Sequence, residues 1–203
     1  LPCQVIGGCG VACEITQRSG ALFVSGLRVA FAEELLRTRL MELGVLRESG
    51  HEHLRGSLVV PILDEAGAVR GMYGRKIQEH LRAGTPLHLY LPGPHRGVFN
   101  AAGLVGQKDV VLCESLIDAL TFWCAGYQNV TAAYGVEGFT ADHRRAFSKW
   151  DTERVLIAFD RDEAGDRAAD KLAAELEENG IASARATFPK GMDANEDAVE
   201  VSP

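Results

Sequence analysis

The fold is decided by two stretches of the same design, Val110-Val-Leu-Cys-Glu114 and Val155-Leu-Ile-Ala-Phe-Asp160-Arg-Asp162. Each is a short apolar run, of the length of a buried strand, that ends in acidic side chains. Around them, apolar runs alternate with amphipathic segments from residue 109 to residue 188, which is typical of a parallel sheet covered by helices on both faces. The predicted order is strand 110–113, helix 116–125, strand 130–133, helix 141–150, strand 155–159, helix 164–179 and strand 182–188.

The residues before this stretch have a different pattern. Apolar side chains recur at three- and four-residue intervals over 26–46, which predicts a helix. Two β-type runs, 57–63 and 68–75, then flank the turn residues Asp64-Glu-Ala-Gly67, which predicts a hairpin. We therefore expect an α/β protein with three parts: an N-terminal helical segment at 1–50, a small basic β-containing subdomain at 51–104, and the domain with the mainly parallel sheet at 105–203.

The net charge of the 203 residues is −7, which argues against a protein that wraps nucleic acid by charge alone. The charge is unevenly distributed, however. Residues 160–200 contain 12 acidic and 5 basic side chains, so the whole excess of acid falls in the last fifth of the chain. No run of 18 apolar residues is present to cross a bilayer, and we expect a protein of the reducing cytoplasm that is not bound to a membrane.

Polar side chains follow three strands of the predicted sheet, at the point where each strand ends. They are Glu114 and Asp118 after the first strand, Asp160 and Asp162 after the third, and Asp193 and Asn195 after the fourth. Sites in parallel sheets form at the carboxyl ends of the strands, and Mg²⁺ or Mn²⁺ prefers oxygen ligands and bridges to substrate phosphates. The residues alone therefore predict metal-assisted phosphoryl or nucleotidyl transfer, although Asp-x-Asp pairs also occur in dehalogenase-like phosphatases and in sugar transferases.

The motifs resemble the TOPRIM domain that is shared by bacterial primases, topoisomerases and some nucleases. Cys113-Glu-Ser-Leu-Ile-Asp118 is similar to the primase pattern of Glu, three residues and Asp. Asp160-Arg-Asp-Glu-Ala-Gly165 and, upstream, Gly71-Met-Tyr-Gly-Arg75 resemble segments of the catalytic core of DnaG-type bacterial primases. The resemblance covers residues 55–197 and implies a TOPRIM, Rossmann-like sheet that is preceded by a small basic subdomain.

Three positions depart from the pattern of the housekeeping primases. Ser115 stands where the family commonly has Gly, and His88 stands where DnaG-type cores carry Lys. The segment Asp193-Ala-Asn195 has Asn in place of a second acid, which is closer to plasmid- and phage-type primases. We therefore expect the catalytic core of a mobile-element primase.

The resemblance implies an enzyme of DNA replication, a DNA primase that makes short RNA primers on a DNA template. As a DNA-directed RNA polymerase, it would be a nucleotidyltransferase. Glu114, Asp160 and Asp162 would be the catalytic residues and would hold Mg²⁺ or Mn²⁺, with two ions beside the incoming nucleoside triphosphate. Asp118 and Asp193 would complete the metal-binding rim, although an exposed acid on a helix is an equal interpretation of Asp118.

A second group of residues would bind the substrates. Residues 55–96 contain six Arg and Lys against three acids, and we expect this basic surface to bind single-stranded DNA template and triphosphate. Arg75 is favoured because its planar guanidinium can bind a phosphate through two parallel hydrogen bonds. The predicted substrate-binding residues are Arg75, Lys76, His88, Arg96 and Asn195. A replicative helicase would be a further partner, bound through parts of the protein outside this chain.

Other interpretations of the same residues stay open. A TOPRIM nuclease would use the same carboxylates with water as the nucleophile, and a non-catalytic single-strand-binding adaptor of replication would use the basic surface alone. The three acids argue against the adaptor, and the basic hairpin argues against a minimal nuclease. His143 has the chemistry of an acid or base, but its place on an amphipathic helix favours a surface role.

Overall fold

The computed structural model divides into two compact units. The first contains Leu1–Ile62 and Val69–Pro94, and the second contains Leu63–Ala68 and His95–Pro203. The predicted boundaries lie at residues 50 and 104, which differs from this division. The turn of the hairpin belongs to the second unit, and the rest of that unit begins at His95. The structure describes residues 12–16, 21–25, 34–64, 66–78 and 80–187, so the predicted site residues Asp193 and Asn195 lie outside the described residues.

The first unit is built on a five-stranded sheet with the order β1-β2-β3-β4-β5. Strand β1 pairs antiparallel with β2, β2 with β3, and β4 with β5. The hairpin is present as predicted, and a short strand follows it. The elements are β1 (Ala12–Thr16), β2 (Ala21–Ser25), helix α1 (Glu34–Glu42), β3 (Ser57–Leu63), β4 (Val69–Lys76) and β5 (His88–Tyr90).

The helical prediction for residues 1–50 is wrong for β1 and β2. Both stretches, Ala12-Cys-Glu-Ile-Thr16 and Ala21-Leu-Phe-Val-Ser25, are short and contain β-branched side chains, which favour strands. Leu22 lies opposite Val59, so β2 supplies the backbone hydrogen-bonding partner that β3 needs on this side of the sheet. Helix α1 lies inside the predicted helix.

The turn between β3 and β4 follows directly from its sequence. One carboxylate oxygen of Asp64 accepts hydrogen bonds from the backbone N–H groups of Ala66 and Ala68, each at 2.9 Å. Gly67 has a φ of +79°, a conformation that glycine adopts without strain. An Asx turn followed by glycine therefore reverses the chain and connects the two strands.

The second unit contains a four-stranded parallel sheet with the order β7-β6-β8-β9. The alternation of strands and helices confirms the predicted α/β fold with a mainly parallel sheet. No helix within the described ranges is long and apolar enough to cross a membrane. The elements are β6 (Asp109–Cys113), α2 (Leu116–Cys124), β7 (Val130–Ala132), α3 (Ala141–Lys149), β8 (Arg154–Ala158), α4 (Glu163–Glu178) and β9 (Ala182–Arg185).

Helix α4 illustrates why this sequence folds as a layered sheet. Its residues Ala168, Ala169, Leu172 and Leu176 recur at helical spacing and belong to one buried cluster with the strands. Complete burial of one leucine contributes about 2 kcal/mol, and replacing Leu172 by alanine would cost about 3 kcal/mol. The packed helix fixes the position of the loop that precedes it, at the carboxyl end of β8.

Candidate functional site

Two acids lie between the end of β6 and the first turn of helix α2, Glu114 and Asp118. Ser115 is the N-cap of this helix, and its hydroxyl donates to Asp118 Oδ2 at 2.6 Å, while the Asp118 N–H lies 3.4 Å from Ser115 Oγ. Asp118 is only 2% exposed. It is therefore not a surface acid, and the serine that departs from the family's glycine has a local function as the cap that holds it.

Glu114 comes directly after β6 and is partly buried. Its Oε2 accepts the backbone N–H of Asp160 at 3.4 Å, which joins the ends of two neighbouring strands. Burial raises the pKa of Glu114, the hydrogen bond from Asp160 lowers it, and the charges of Asp162 and Asp118 raise it further. The structure therefore brings Glu114 close to the acids that the sequence predicts as its partners.

The loop between β8 and α4 presents the Asp160-x-Asp162 pair. Asp162 is the N-cap of α4, and its Oδ1 accepts the backbone N–H of Gly165 at 2.7 Å. A Cβ atom on Gly165 would lie 2.3 Å from the Asp160 carbonyl oxygen and 3.2 Å from Glu114 Oε2. Glycine is therefore required here by space, because the helix start packs directly on the acidic loop.

Arg185 is a residue of this region that the sequence analysis missed. It lies on β9, and its guanidinium donates to the Asp160 carbonyl at 2.9 Å and to Asp166 Oδ1 at 2.8 Å. The only signal in the sequence is an arginine within the short strand Ala182–Arg185. The charge of Arg185 also acts on Glu114 and lowers its pKa, against the stronger effects that raise it.

The donor set fits a hard divalent cation, because Glu114, Asp118, Asp160 and Asp162 all supply carboxylate oxygen. The crowding of negative charge that raises the pKa of Glu114 is a repulsion that such a cation would relieve. Within the described part of the chain, however, no three His, Cys, Asp or Glu side chains converge on one point as metal ligands. The metal-binding roles of these residues and of Asp193 stay predictions.

The loop between β7 and α3 closes the same end of the sheet. The Gly135 N–H donates to the Glu114 carbonyl at 3.2 Å. A Cβ atom on Gly138 would lie 2.2 Å from the Tyr134 nitrogen, so only glycine fits this turn. The ring of Tyr134 faces the chain segment that carries Arg96: its hydroxyl lies 2.9 Å from the Arg96 carbonyl oxygen. Within the second unit, the Arg96 segment and the acidic strand end thus contact the same loop.

The surface role predicted for His143 is wrong, because this residue is completely buried. Its Nδ1 accepts the Thr140 N–H at 3.1 Å, and its Nε2 lies 2.9 Å from the Ala132 carbonyl oxygen. A backbone N–H only donates and a carbonyl only accepts, so the proton is on Nε2. Burial lowers the pKa of His143 to about 4. The neutral ring connects β7 to the start of α3.

The predicted substrate-binding residues of the first unit separate into two places. Arg75 Nη1 donates to His88 Nε2 at 2.8 Å, and His88 Nδ1 lies 2.6 Å from the hydroxyl of buried Tyr73. His88 therefore orients the guanidinium of Arg75. Lys76, the next residue on β4, points to the other face of the sheet, where its ammonium donates to the Arg55 carbonyl oxygen.

Lys76 lines a groove of about 640 Å³ that we call the basic groove. Its cationic lining is Arg47, Arg55, Lys76 and Arg82, with His51 and His53, and Glu52 is the acid in the lining. Burial and the charge of Arg47 lower the pKa of Lys76. Within the described residues, none of the four Arg and Lys side chains forms an ion pair with an acid. Arg47 was not predicted, because it precedes the hairpin by ten residues of irregular chain.

The fold and the acidic strand ends define a class of protein, because the four-stranded parallel sheet flanked by helices is the TOPRIM fold of DnaG primase cores. Residues 111–198 match a family described as Toprim-like. A solved DnaG catalytic core superposes with a TM-score of 0.75 at 23% identity, covering 95% of this chain and 66% of that one. A DnaG primase catalytic domain bound to single-stranded DNA gives 0.73 at 22% identity, covering 92% and 65%.

Sequence similarity points to the same proteins. A DNA primase of Campylobacter jejuni is 26% identical over 168 residues, which are 75% of this chain and 27% of the relative. A DNA primase of Aquifex aeolicus is 31% identical over 150 residues, which are 68% of this chain and 29% of the relative. The chain thus spans between a quarter and a third of the length of these curated relatives.

Proposed function

We propose that this chain is the catalytic core of a DNA primase, which synthesises short RNA primers on a DNA template by metal-assisted nucleotidyl transfer. The observation that carries the proposal is the contact between Glu114 and the Asp160 backbone at adjacent strand ends of a TOPRIM sheet. The similarity to DNA primases supports it along most of the chain. The curated relatives are several times longer than the segment that matches this chain, so primer synthesis is proposed for the whole protein.

In this proposal Glu114, Asp160 and Asp162 hold two Mg²⁺ or Mn²⁺ ions, and Asp118 and Asp193 complete the rim. When bound, the ions supply the Lewis acidity that activates a 3′-hydroxyl and stabilises the leaving pyrophosphate. Arg96 binds the triphosphate, because its chain segment contacts the loop that also touches Glu114. Arg75, which His88 orients, binds phosphate through its planar guanidinium.

The basic groove binds the template strand. Its four Arg and Lys side chains supply the positive surface that a sugar-phosphate backbone requires. The Lys76 ammonium donates to the Arg55 carbonyl and is repelled by the charge of Arg47. A bound phosphate would relieve this repulsion between cations. The relative that was solved with single-stranded DNA supports this choice of partner.

Further proposals concern the type of primase. We infer from the resemblance of Asp193-Ala-Asn195 to plasmid- and phage-type primases that this core is of that type, and that Asn195 contributes an amide oxygen to substrate binding. A replicative helicase binds through parts outside this chain. The setting is the cytoplasm, where primers are made.

The proposal is tested with single-stranded DNA, labelled ribonucleotides and Mg²⁺ or Mn²⁺. Wild type is compared with Asp160→Ala and Glu114→Gln, and with Arg154→Gln as a control at the opposite end of the sheet. Short labelled products that both acid variants lose and the control keeps are expected. Cleaved template without synthesis would replace the proposal by a nuclease, and salt-dependent strand binding with neither activity would replace it by an adaptor.

A further inference from the structure

Arg185 joins the last strand of the sheet to the loop that carries the Asp160-x-Asp162 pair. Its side chain is 22% exposed and reaches across the carboxyl end of β8. The guanidinium has four acceptors. They are the carbonyl oxygens of Phe159 at 3.4 Å, Asp160 at 2.9 Å and Gly165 at 3.2 Å, and Asp166 Oδ1 at 2.8 Å.

Three of these acceptors are backbone carbonyls at the two ends of one short loop. Phe159 and Asp160 lie where the loop leaves β8, and Gly165 lies in the first turn of α4. A guanidinium carries five N–H groups in a fixed plane, so it can hold all these carbonyls at once. A lysine ammonium is a point charge and cannot span them.

We propose that Arg185 is the positioning residue of the acidic strand end: it clamps the loop from Phe159 to Gly165 and so fixes the backbone that carries Asp160 and Asp162 beside Glu114, which raises the affinity of this end of the sheet for a divalent cation. The effect of the clamp on primer synthesis rests on the proposed function. Its effect on the affinity of this end of the sheet for a hard cation can be measured without it.

The surroundings of the loop explain why a clamp is needed. Glu114, Asp160 and Asp162 carry like charges that repel one another when brought together. The hydrogen bond from the Asp160 N–H to Glu114 Oε2 is 3.4 Å, which is long. The start of α4 packs tightly against the loop at Gly165, because the Asp160 carbonyl fills the space where a Cβ atom would be. A second arginine, Arg161, contacts Asp166 from the loop itself at 3.4 Å.

The test is Mn²⁺ binding, followed by electron paramagnetic resonance of the free ion, on wild type, Arg185→Gln and Arg185→Lys. The matched control is Arg154→Gln, which removes an exposed arginine that pairs with Asp109 at the other end of the sheet. We expect both Arg185 variants to bind Mn²⁺ about 10- to 100-fold more weakly. The control should stay within about twofold of wild type.

Primer synthesis gives a second readout. In both Arg185 variants the Mn²⁺ concentration for half-maximal synthesis should rise in proportion to the lost affinity, while the rate at saturating Mn²⁺ recovers. Asp166→Asn, which leaves the carbonyl contacts in place, should weaken Mn²⁺ binding by only about threefold. If Arg185→Gln does not fold, Arg185→Lys decides the test.

Three results would overturn the inference. Mn²⁺ affinity at the wild-type level in Arg185→Lys would mean that charge alone matters, and the same affinity in Arg185→Gln would mean that the loop needs no clamp. Absence of Mn²⁺ binding in wild type would overturn it together with the metal-binding part of the proposed function. Mn²⁺ binding without primer synthesis in wild type would overturn the proposed function alone, and the Mn²⁺ affinities of the variants would still decide the clamp.

Discussion

The second unit has acidic side chains at the ends of its strands, and the first unit has a basic groove. The two regions have opposite charge, but in both the pKa of a charged side chain is shifted toward the neutral form. At the strand ends, burial and the charges of Asp162 and Asp118 raise the pKa of Glu114. In the groove, burial and the charge of Arg47 lower the pKa of Lys76. Each region holds like charges together at a cost in stability, which a ligand of opposite charge would relieve. The net charge of −7 conceals this separation.

The largest effect is expected from removing one charge at the strand ends. Glu114→Gln keeps an oxygen that can accept the Asp160 N–H but loses the carboxylate, and primer synthesis should fall by about 1,000-fold if several kcal/mol of metal-dependent stabilisation are lost. The rate of labelled primer formation measures this. Glu153→Gln, an exposed acid at the other end of the sheet, is the control. An equal fall in both variants would mean that acidic charge in general, and not the Glu114 carboxylate, supports synthesis.

A pH dependence of stability between pH 4 and pH 7 is expected from His143, which is buried in the second unit. Unfolded His143 takes up a proton below about pH 6.5, whereas the buried ring does so only below about pH 4. Its contribution is therefore complete above pH 6.5 and is lost as the pH falls to 4, by about 3 kcal/mol. Urea unfolding at pH values between 4 and 7 measures the loss, with His143→Gln as the comparison. The same decline in the variant would assign the pH dependence to other groups.

A smaller effect is expected where the acidic loop meets helix α4. Gly165→Ala would favour the helix by about 1 kcal/mol if space allowed, but its Cβ would collide with the Asp160 carbonyl. We expect a net loss of about 2 kcal/mol of stability, together with weaker Mn²⁺ binding. Gly71→Ala is the control, because the nearest atom to its Cβ would be Ile62 Cδ1 at 3.9 Å. A stabilised Gly165→Ala protein would show that the loop moves freely.

The architecture of the second unit was predictable because each of its strands is a short apolar run between amphipathic helices. The acids after β6 and β8 were equally visible, since strand ends fix where they lie. The buried state of His143 was not, because it depends on a carbonyl of β7 and an N–H of the next loop meeting at one ring. Arg185 was missed because its partners belong to the neighbouring strand β8 and the loop after it. Strands β1 and β2 were missed for a similar reason, because β2 pairs with β3, which is distant in the sequence.

The smallest effect is expected in the basic groove, where several cationic side chains contribute to binding of the strand. Arg55→Gln combined with Lys76→Gln should weaken binding of single-stranded DNA by about tenfold, and should reduce the slope of log affinity against log salt by about 1.4. Fluorescence anisotropy at several salt concentrations measures both. The matched control is Arg154→Gln with Lys171→Gln, which removes two exposed cations from the second unit. An equal loss in the control would mean that overall charge, and not the groove, binds the strand.

In the proposed primase, the chemistry takes place at the acidic strand ends and the template strand binds in the basic groove. The most direct test is to measure DNA affinity and primer synthesis side by side in Glu114→Gln. The dissociation constant for single-stranded DNA should stay within about twofold of wild type, while primer synthesis should be lost. A parallel loss of DNA affinity, or synthesis that persists without the Glu114 carboxylate, would contradict this assignment of the two regions.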